Sequence, residues 1–405
     1  MPPPARILII SNGPLCRNPR VGKEAATLGA AGHDVTVLTV RNHAPSEVLD
    51  QALLSGALYR RATVDILPGF GSSRAAVFRR RLCLWTARKL ARWPGLATIH
   101  SLGPAHSLLR AARARPADLT IVHNEIAHWV GLKLMDAGRR VAADIEDWHS
   151  EDLLPEARRQ RPLAAIRRVE RALLHRAVYT TTTSHALAAA LHACYGGRKP
   201  DVITNSFPLP PARGLAGVGS PPAFFWFSQT LGPGRGLEPF VAAWGKMHTL
   251  SRLVLLGEGT SAFQRELHAL VPPARQPLLE FLDLVPAGDL PGVIARHDIG
   301  LALELAEIPN RNLTITNKIL QYLEGGLAVV ASDTLGQREV LARLPDSGIT
   351  VSIGDANELP GQLDALLADQ AALLHRCRAA RQLAETTYCW EREAPRLLAL
   401  VQDAL

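Results

Sequence analysis

Three stretches of this chain carry side chains that could do chemistry. Residues 310–333 read as a polar loop, a two-turn helix over 317–324 and a buried strand over 327–331, with Thr316 as N-cap and Gly325-Gly326 as the left-handed end. Such a helix start sets hydroxyls, the amide of Asn317 and the ammonium of Lys318 beside free backbone N–H groups, which suits a phosphate. An ordinary capped helix with a surface lysine reads the same way. Residues 228–236, Ser-Gln-Thr-Leu-Gly-Pro-Gly-Arg-Gly, form a glycine-rich loop before a helix at 237–247, where backbone can approach a pyrophosphate with Arg235 as charge partner. Residues 146–152, Glu-Asp-Trp-His-Ser-Glu-Asp, gather carboxylates and His149 at the end of a strand, where they could take a proton from a hydroxyl. The competing reading is an acid-rich helix start capped by Asp147 or Ser150.

The elements that would position these groups alternate strand and helix. Residues 6–11 are an apolar strand, 21–31 a helix and 33–40 a second strand, a β-α-β unit that predicts a parallel sheet. Such sheets bind ligands beyond the carboxyl ends of their strands, so Asn12, Gly13, Arg17 and Arg20 fall near a crevice. Further strands are expected at 119–124, ending in His123-Asn124-Glu125, and at 140–145, 179–183 and 201–205, with helices at 126–136 and 157–176. Pro and Gly crowd residues 206–222, which read as a linker. The pattern restarts with strands at 224–227, 253–256 and 298–303, a helix at 290–296, and helices from 358 to the end. The fold class is therefore α/β, with Rossmann-like β/α/β domains over 1–205 and 223–385 and a last segment over 386–405. The three-glycine dinucleotide fingerprint is missing, which argues against NAD.

A chain of 405 residues, 47% hydrophobic and 20% charged, has the composition of a soluble two-domain protein. Its five cysteines are odd in number and scattered without metal-ligand spacing, as free thiols in a reducing cytoplasm would be. No Asp-x-Asp pair is present, so neither a metal nor a cofactor is expected. The apolar run after Pro4 fits a first strand better than a signal-peptide core, and no apolar run approaches the ~18 residues of a membrane span.

Charge is unevenly divided. The net +8 splits into +13 over residues 1–205 and −5 over 206–405, and between Asp65 and Asp118 there are ten basic residues and no acid. That surface should attract anions, and Phe78, Trp85 and Trp93 lie among its arginines as aromatic rings do at a membrane interface. On a helical projection Phe78 and Trp85 share a stripe with Arg81 and Arg88, so a merely solvated basic face is the alternative to an anionic membrane surface at 74–115. No nucleic-acid motif accompanies the patch, and nucleic acid is not an expected partner.

The run 317–332, Asn-Lys-Ile-Leu-Gln-Tyr-Leu-Glu-Gly-Gly-Leu-Ala-Val-Val-Ala-Ser, resembles the donor-site segment of glycosyltransferase family 4 and its relatives in its order of helix, glycine and strand. The resemblance covers nearly the whole chain, weakest over 42–117 and best over 224–335. It implies the GT-B fold, two Rossmann-like domains facing a central cleft, with a nucleoside-diphosphate sugar in the second, an acceptor in the first, and a final segment carrying Trp390 that returns to the first domain. The expected donor-phosphate ligands are then Gly13, Arg235, Thr316 and Lys318. A turn at 257–259 and a loop at 282–286 resemble those that receive the nucleotide, giving Gly257 and Val285, with Gln321 on the ribose. Glu304 and Asn317 are the expected sugar ligands, although solvated loop acids remain the alternative for Glu304 and Glu307. Glu146 stands where relatives carry an acceptor-side histidine and is taken as the catalytic group, with His149 as second choice. Leu313 and Gln321 replace a pair of glutamates, and Thr230 replaces an arginine.

The leading expectation is a metal-independent, retaining hexosyltransferase that moves sugar from a nucleoside-diphosphate sugar to a lipid-linked or cell-envelope glycan, cytoplasmic and peripheral at the inner membrane face. Leu313, Gln321 and Thr230 motivate an alternative, a catalytically degenerate nucleotide-binding protein. A sugar-nucleotide epimerase of similar architecture is another, and an NAD-dependent oxidoreductase comes last.

Overall fold

The computed structural model describes residues 4–93, 95–210 and 217–405. The chain forms two compact units, one of Met1–Ile203 with Ala394–Leu405, the other of Thr204–Glu393. In the first, seven strands, β1 (Arg6–Ile10), β2 (Asp34–Arg41), β3 (Arg60–Asp65), β4 (Leu119–His123), β5 (Val141–Asp144), β6 (Thr180–Thr182) and β7 (Asp201–Val202), make one sheet. Its order is β3-β2-β1-β4-β5-β6-β7, parallel throughout. In the second, six strands, β8 (Ala223–Leu231), β9 (Arg252–Gly259), β10 (Leu279–Leu282), β11 (Ile299–Ala302), β12 (Ala328–Ser332) and β13 (Gly348–Val351), pair as β10-β9-β8-β11-β12-β13, again all parallel. The central strands are apolar runs buried on both faces, Ile7 to Ile10 and Ala328 to Ala331 among them, as a helix-covered parallel sheet requires. The order of strands reverses between β1 and β4 and between β8 and β11, and these reversal points are where such sheets open a crevice for ligands.

Several expected boundaries move. The strand expected at 224–227 runs on to Leu231 past an irregularity in its pairing with β9, so Ser228 to Leu231 are strand and the glycine loop is only residues 232–236. The polar loop expected at 310–316 contains a short helix, Pro309–Leu313, because a proline at the first helical position leaves no unmet N–H. The basic helix expected over 157–176 is two, Pro155–Arg158 and Leu163–Arg176, interrupted where Pro162 disfavours a helical residue before it. The strand expected at 201–205 ends at Val202, and the carboxyl-terminal part is three helices, Glu358–Leu367, Gln370–Thr386 and Trp390–Ala404. Gly325 is helical, and only Gly326 takes the left-handed conformation that closes the helix Asn317–Gly325.

One glycine fixes that helix on its sheet. A Cβ on Gly300 would lie 2.2 Å from Cγ of Tyr322, so the bare strand is what lets the Tyr322 ring lie against β11 and donate its hydroxyl to Leu301 O at 3.3 Å. Residues 204–210, partly within the expected linker 206–222, are tied down as well. Glu393 accepts from Thr204 N and Oγ1, Glu324 from Phe207 N, and Arg381 donates to Pro210 O. The rest of that linker includes residues 211–216, which lie outside the described residues.

Candidate functional site

At the β1/β4 reversal, Asn124 takes a left-handed conformation (φ 61°) that a short amide side chain tolerates, and its Oδ1 accepts from Asn12 N at 3.0 Å. Gly13 (φ 135°) has no described atom within 4 Å of where a Cβ would stand, which leaves backbone open to an incoming group. Directly behind lies a buried set of charges. His123, Asp144 and Thr181 are in register across β4, β5 and β6. Asp144 accepts from Arg20 Nη2 (2.8 Å) and Nε and from Thr181 Oγ1 (2.7 Å), while His123 Nε2 meets Glu24 Oε2 at 2.6 Å. The His123 Nδ1 to Asp144 Oδ2 approach, 3.1 Å, is poorly aligned for a hydrogen bond, so Coulomb attraction carries it. Burial works against charge on His123, but Glu24 and then Asp144 outweigh it and push the imidazole up to about 10. Burial likewise opposes the Asp144 carboxylate, yet Arg20 and His123 hold it well below the usual range.

The acid-rich segment after β5 is a loop; no helix begins between residues 146 and 152. Glu170 anchors it, accepting from Ser150 N at 3.1 Å and from Tyr195 Oη at 2.7 Å, while Trp148 Nε1 donates to Tyr195 Oη at 3.2 Å. Glu146 is half-buried, and its Oε1 accepts from Asn18 Nδ2 at 3.3 Å. Burial first, then Asp144 and Asp147, raise its pKa, so it is a better proton acceptor than an exposed carboxylate. His149 is buried, with Nδ1 3.9 Å from Glu125 Oε1 and Nε2 without a partner among the described residues. Burial opposes its charge, but Glu125 and further carboxylates raise its pKa. Its neighbour His128, rings 5.5 Å apart, donates from Nε2 to Asp144 O at 2.8 Å and is pushed down to about 3, by burial and then by His149. An unpaired ring nitrogen beside a raised carboxylate is a place for a ligand hydroxyl.

At the β8/β11 reversal two loops meet. Gly236 (φ 74°) starts the helix Leu237–Gly245, and a Cβ there would stand 3.6 Å from Leu303 Cβ, at the exit of β11. Arg311 Nη1 donates to Gly234 O at 3.0 Å, closing the glycine loop onto the 304–316 segment. Arg235 is half-exposed and forms no ion pair among the described residues. Lys318 Nζ sits 2.9 Å from Glu304 Oε1, both side chains about nine-tenths covered, and 5.7 Å from the centre of the Trp226 ring. The structure thus brings two expected ligands into direct contact, and the lysine is not the free surface group of the competing reading. Thr316 occupies the N-cap position, but its hydroxyl does not cap the helix and has no partner among the described residues. Asn317 is exposed, with Oδ1 accepting from Asn205 Nδ2 at 2.9 Å. Gln321 is half-buried on the same helix. The turn expected at 257–259 is strand, so Gly257 lies within β9, where a Cβ would stand 2.6 Å from Ser228 O, and Val285 follows β10; both are on the other side of β8 from Glu304. Leu313 is buried, and Thr230 is an exposed strand residue opposite Glu258, so neither adds charge.

Sequence reasoning missed Glu24, Asp144, Glu125 and Gln337. The last is fully buried after β12, and neither atom of its amide finds a partner among the described residues. A lone acid closing an apolar strand, as in Val141-Ala142-Ala143-Asp144, was the available signal. Among the described residues no group of three His, Cys, Asp or Glu side chains is arranged to hold a metal, and no helix is long and apolar enough to cross a membrane.

On the helix Arg74–Leu90, Val77 and Leu84 face inward while Phe78 (68% exposed), Leu82 and Trp85 (57%) line the outer side. None of the ten basic residues from Arg74 to Arg115 forms an ion pair among the described residues. Arg80 and Arg88 instead donate to backbone, at Asp65 O and Ser101 O.

Residues 222–369 match the model of a family described as Glycosyl transferases group 1. The fold is GT-B, and the matched part of the second unit is similar to group 1 glycosyl transferases. Similar solved structures span both units. Sucrose-phosphate synthase from Thermosynechococcus elongatus superposes with a TM-score of 0.70 at 17% identity, covering 98% of each chain. HepE from Anabaena, solved with UDP and glucose, gives 0.68 at 18% identity over 98% of this chain and 99% of that one. WaaG, described as a glycosyltransferase involved in lipopolysaccharide biosynthesis, gives 0.63 at 12% over 97% and 99%. No curated protein sequence matches the chain at a significant level.

Proposed function

We propose that this GT-B protein transfers a sugar from a nucleoside-diphosphate donor, bound at the β8/β11 reversal, to an acceptor hydroxyl bound by the first unit. The observation that carries the reading is the meeting of the Arg235 loop with the segment holding Glu304 and Lys318, tied by the Arg311 bond to Gly234. A departing diphosphate needs cations and N–H groups aimed at it, and Arg235, Lys318 and the starts of the helices Leu237–Gly245 and Asn317–Gly325 supply both without a metal. As the bond from sugar C1 to the diphosphate oxygen breaks, its electron pair leaves with the diphosphate. The acceptor oxygen bonds to C1, and its proton goes to Glu146, with His149 Nε2 orienting the hydroxyl. The resemblance to family 4 supports retention at C1 and donor contacts from Thr316, Gly257, Val285, Gln321 and Asn317 within the second unit.

The acceptor we propose is lipid-linked or part of a cell-envelope glycan, reached at the cytoplasmic side of an anionic membrane. The unpaired cations of residues 74–115 and the outward Phe78, Leu82 and Trp85 support that partner, because rings seat at headgroup depth while basic side chains meet phosphates. A solved neighbour involved in lipopolysaccharide biosynthesis has the same fold. The test is thermal denaturation against UDP, GDP, dTDP and their sugars, followed by transfer assays with lipid-linked acceptors. A stabilising sugar nucleotide that is then consumed only with acceptor present supports transfer. Stabilisation without turnover selects the degenerate binder, and conversion of donor alone selects an epimerase.

A further inference from the structure

The charges behind the β1/β4 reversal do not belong to any role assigned above, and their geometry is specific. His123 is fully buried with a carboxylate oxygen at each ring nitrogen, Glu24 at 2.6 Å from Nε2 and Asp144 at 3.1 Å from Nδ1. A neutral imidazole has one N–H and one lone pair, so between two ionised carboxylates it would set that lone pair against an oxygen on one side, whereas the imidazolium faces both. With Arg20 bound to Asp144, the set Arg20, Glu24, His123 and Asp144 then sums to zero charge. The same helix that supplies Arg20 and Glu24, Pro19–Ala30, is capped by Asn18, whose amide nitrogen donates to Glu146. Asp144 itself lies two residues before Glu146, and Thr181 and Thr183 bond Asp144 and the Glu146 carbonyl in turn.

We propose that His123 is a permanent imidazolium and that, with Glu24 and Asp144, it is a positioning residue that fixes the place and proton affinity of Glu146. The uncancelled field of Asp144 would otherwise hold a proton on Glu146 and stop it acting as a base. The charged and titratable groups that act on His123 are Glu24 from the first helix, Asp144 and Glu146 from the end of β5 and His128 from the helix Asn124–Met135; Arg20 pairs with Asp144, and Tyr179 before β6 lies near Glu24 and Asp144. The kinetic part of this inference rests on the proposed transfer reaction, whereas the charge state does not.

The experiment therefore has two arms. In the first, the histidine ring signals of the intact, isotope-labelled protein are followed by NMR from pH 6 to 9, with His123→Gln identifying the resonance. His123 should show imidazolium shifts throughout, and a titration near its ordinary value would overturn the proposal whether or not the protein transfers sugar. In the second, pH–rate profiles of wild type, His123→Gln, and the double variant His123→Gln with Glu24→Gln are compared, alongside their melting temperatures. The single variant leaves one uncancelled carboxylate. It should lower kcat at neutral pH by about tenfold or more and move the acidic limb upward, with KM for the donor unchanged. The double variant restores neutrality and should recover most of the kcat. Equal profiles for all three, or a loss in the double variant as large as in the single, would reduce the set to a structural staple and refute the positioning role. If the charge state is as stated and no variant or wild type turns over donor, the transfer reading fails and the charge assignment stands.

Discussion

The two reversal points share one strand order and are furnished in opposite ways. Behind β1 and β4 the chain fills its own crevice with Arg20, Glu24, His123 and Asp144, every charge buried and met by another. Behind β8 and β11 it leaves Arg235 half-exposed without an ion pair and pairs Lys318 with a single carboxylate, Glu304. Topology fixes where a crevice opens, but side-chain charge decides whether it accepts an anion. The first unit offers a raised carboxylate and an unpaired imidazole nitrogen, suited to a neutral hydroxyl; the second offers cations, suited to a diphosphate.

The largest expected effect separates the two by stability. Asp144→Ala leaves Arg20 and His123 fully buried with Glu24 alone, a loss of about 3–5 kcal/mol, whereas Glu304→Ala strands the single cation Lys318, which is about nine-tenths covered, and should cost less, about 1–3 kcal/mol. Urea unfolding of both variants measures this, and equal losses would erase the contrast. Next comes Gly300→Ala, whose methyl must displace the Tyr322 ring from β11. It should cost about 1–3 kcal/mol and weaken nucleotide binding by moving the start of the helix Asn317–Gly325.

Acidification should act through the first unit. His128 is held down to about 3 when folded against 6.5 as its ordinary value, so between these the unfolded chain binds the extra proton. Stability therefore falls as pH drops below 6.5, by at most about 1.4 kcal/mol per pH unit for one such group. The depressed carboxylate of Asp144 adds a further loss as pH falls below 3.8. His123 works in the other direction: its contribution is fully present below its ordinary value of 6.5 and is lost progressively as pH rises from there through about 10. Denaturant midpoints at pH 7 and 5 for wild type and His128→Phe test the acidic side, the variant being expected to lose the dependence between them. The smallest effect lies outside both crevices. Replacing Phe78 and Trp85 together with Ser should weaken co-sedimentation with phosphatidylglycerol vesicles severalfold at low salt, and no binding by wild type would remove the membrane partner.

Most of the scaffold was legible in the sequence because parallel strands are apolar runs bounded by turn residues. The β-α-β opening and the restart near residue 224 follow from that pattern alone. What escaped depended on tertiary partners. Ser228 to Thr230 look like loop and become strand because β9 continues beside them. Lys318 was legible as a cation near a helix start, but its pairing with Glu304 was not, since the two are brought together only by the packing of that helix on β11. Glu24 and Asp144 look unremarkable one at a time; their partners stand 99 and 124 residues away in the chain.

Isothermal titration of UDP, GDP and dTDP into wild type, Arg235→Ala, Lys318→Ala and Arg17→Ala tests the assignment of the donor crevice most directly. One of the three nucleotides should bind, with affinity reduced about tenfold or more by each of the first two substitutions and unchanged by the third, which lies in the first unit. Binding that is indifferent to Arg235 and Lys318 would contradict the account.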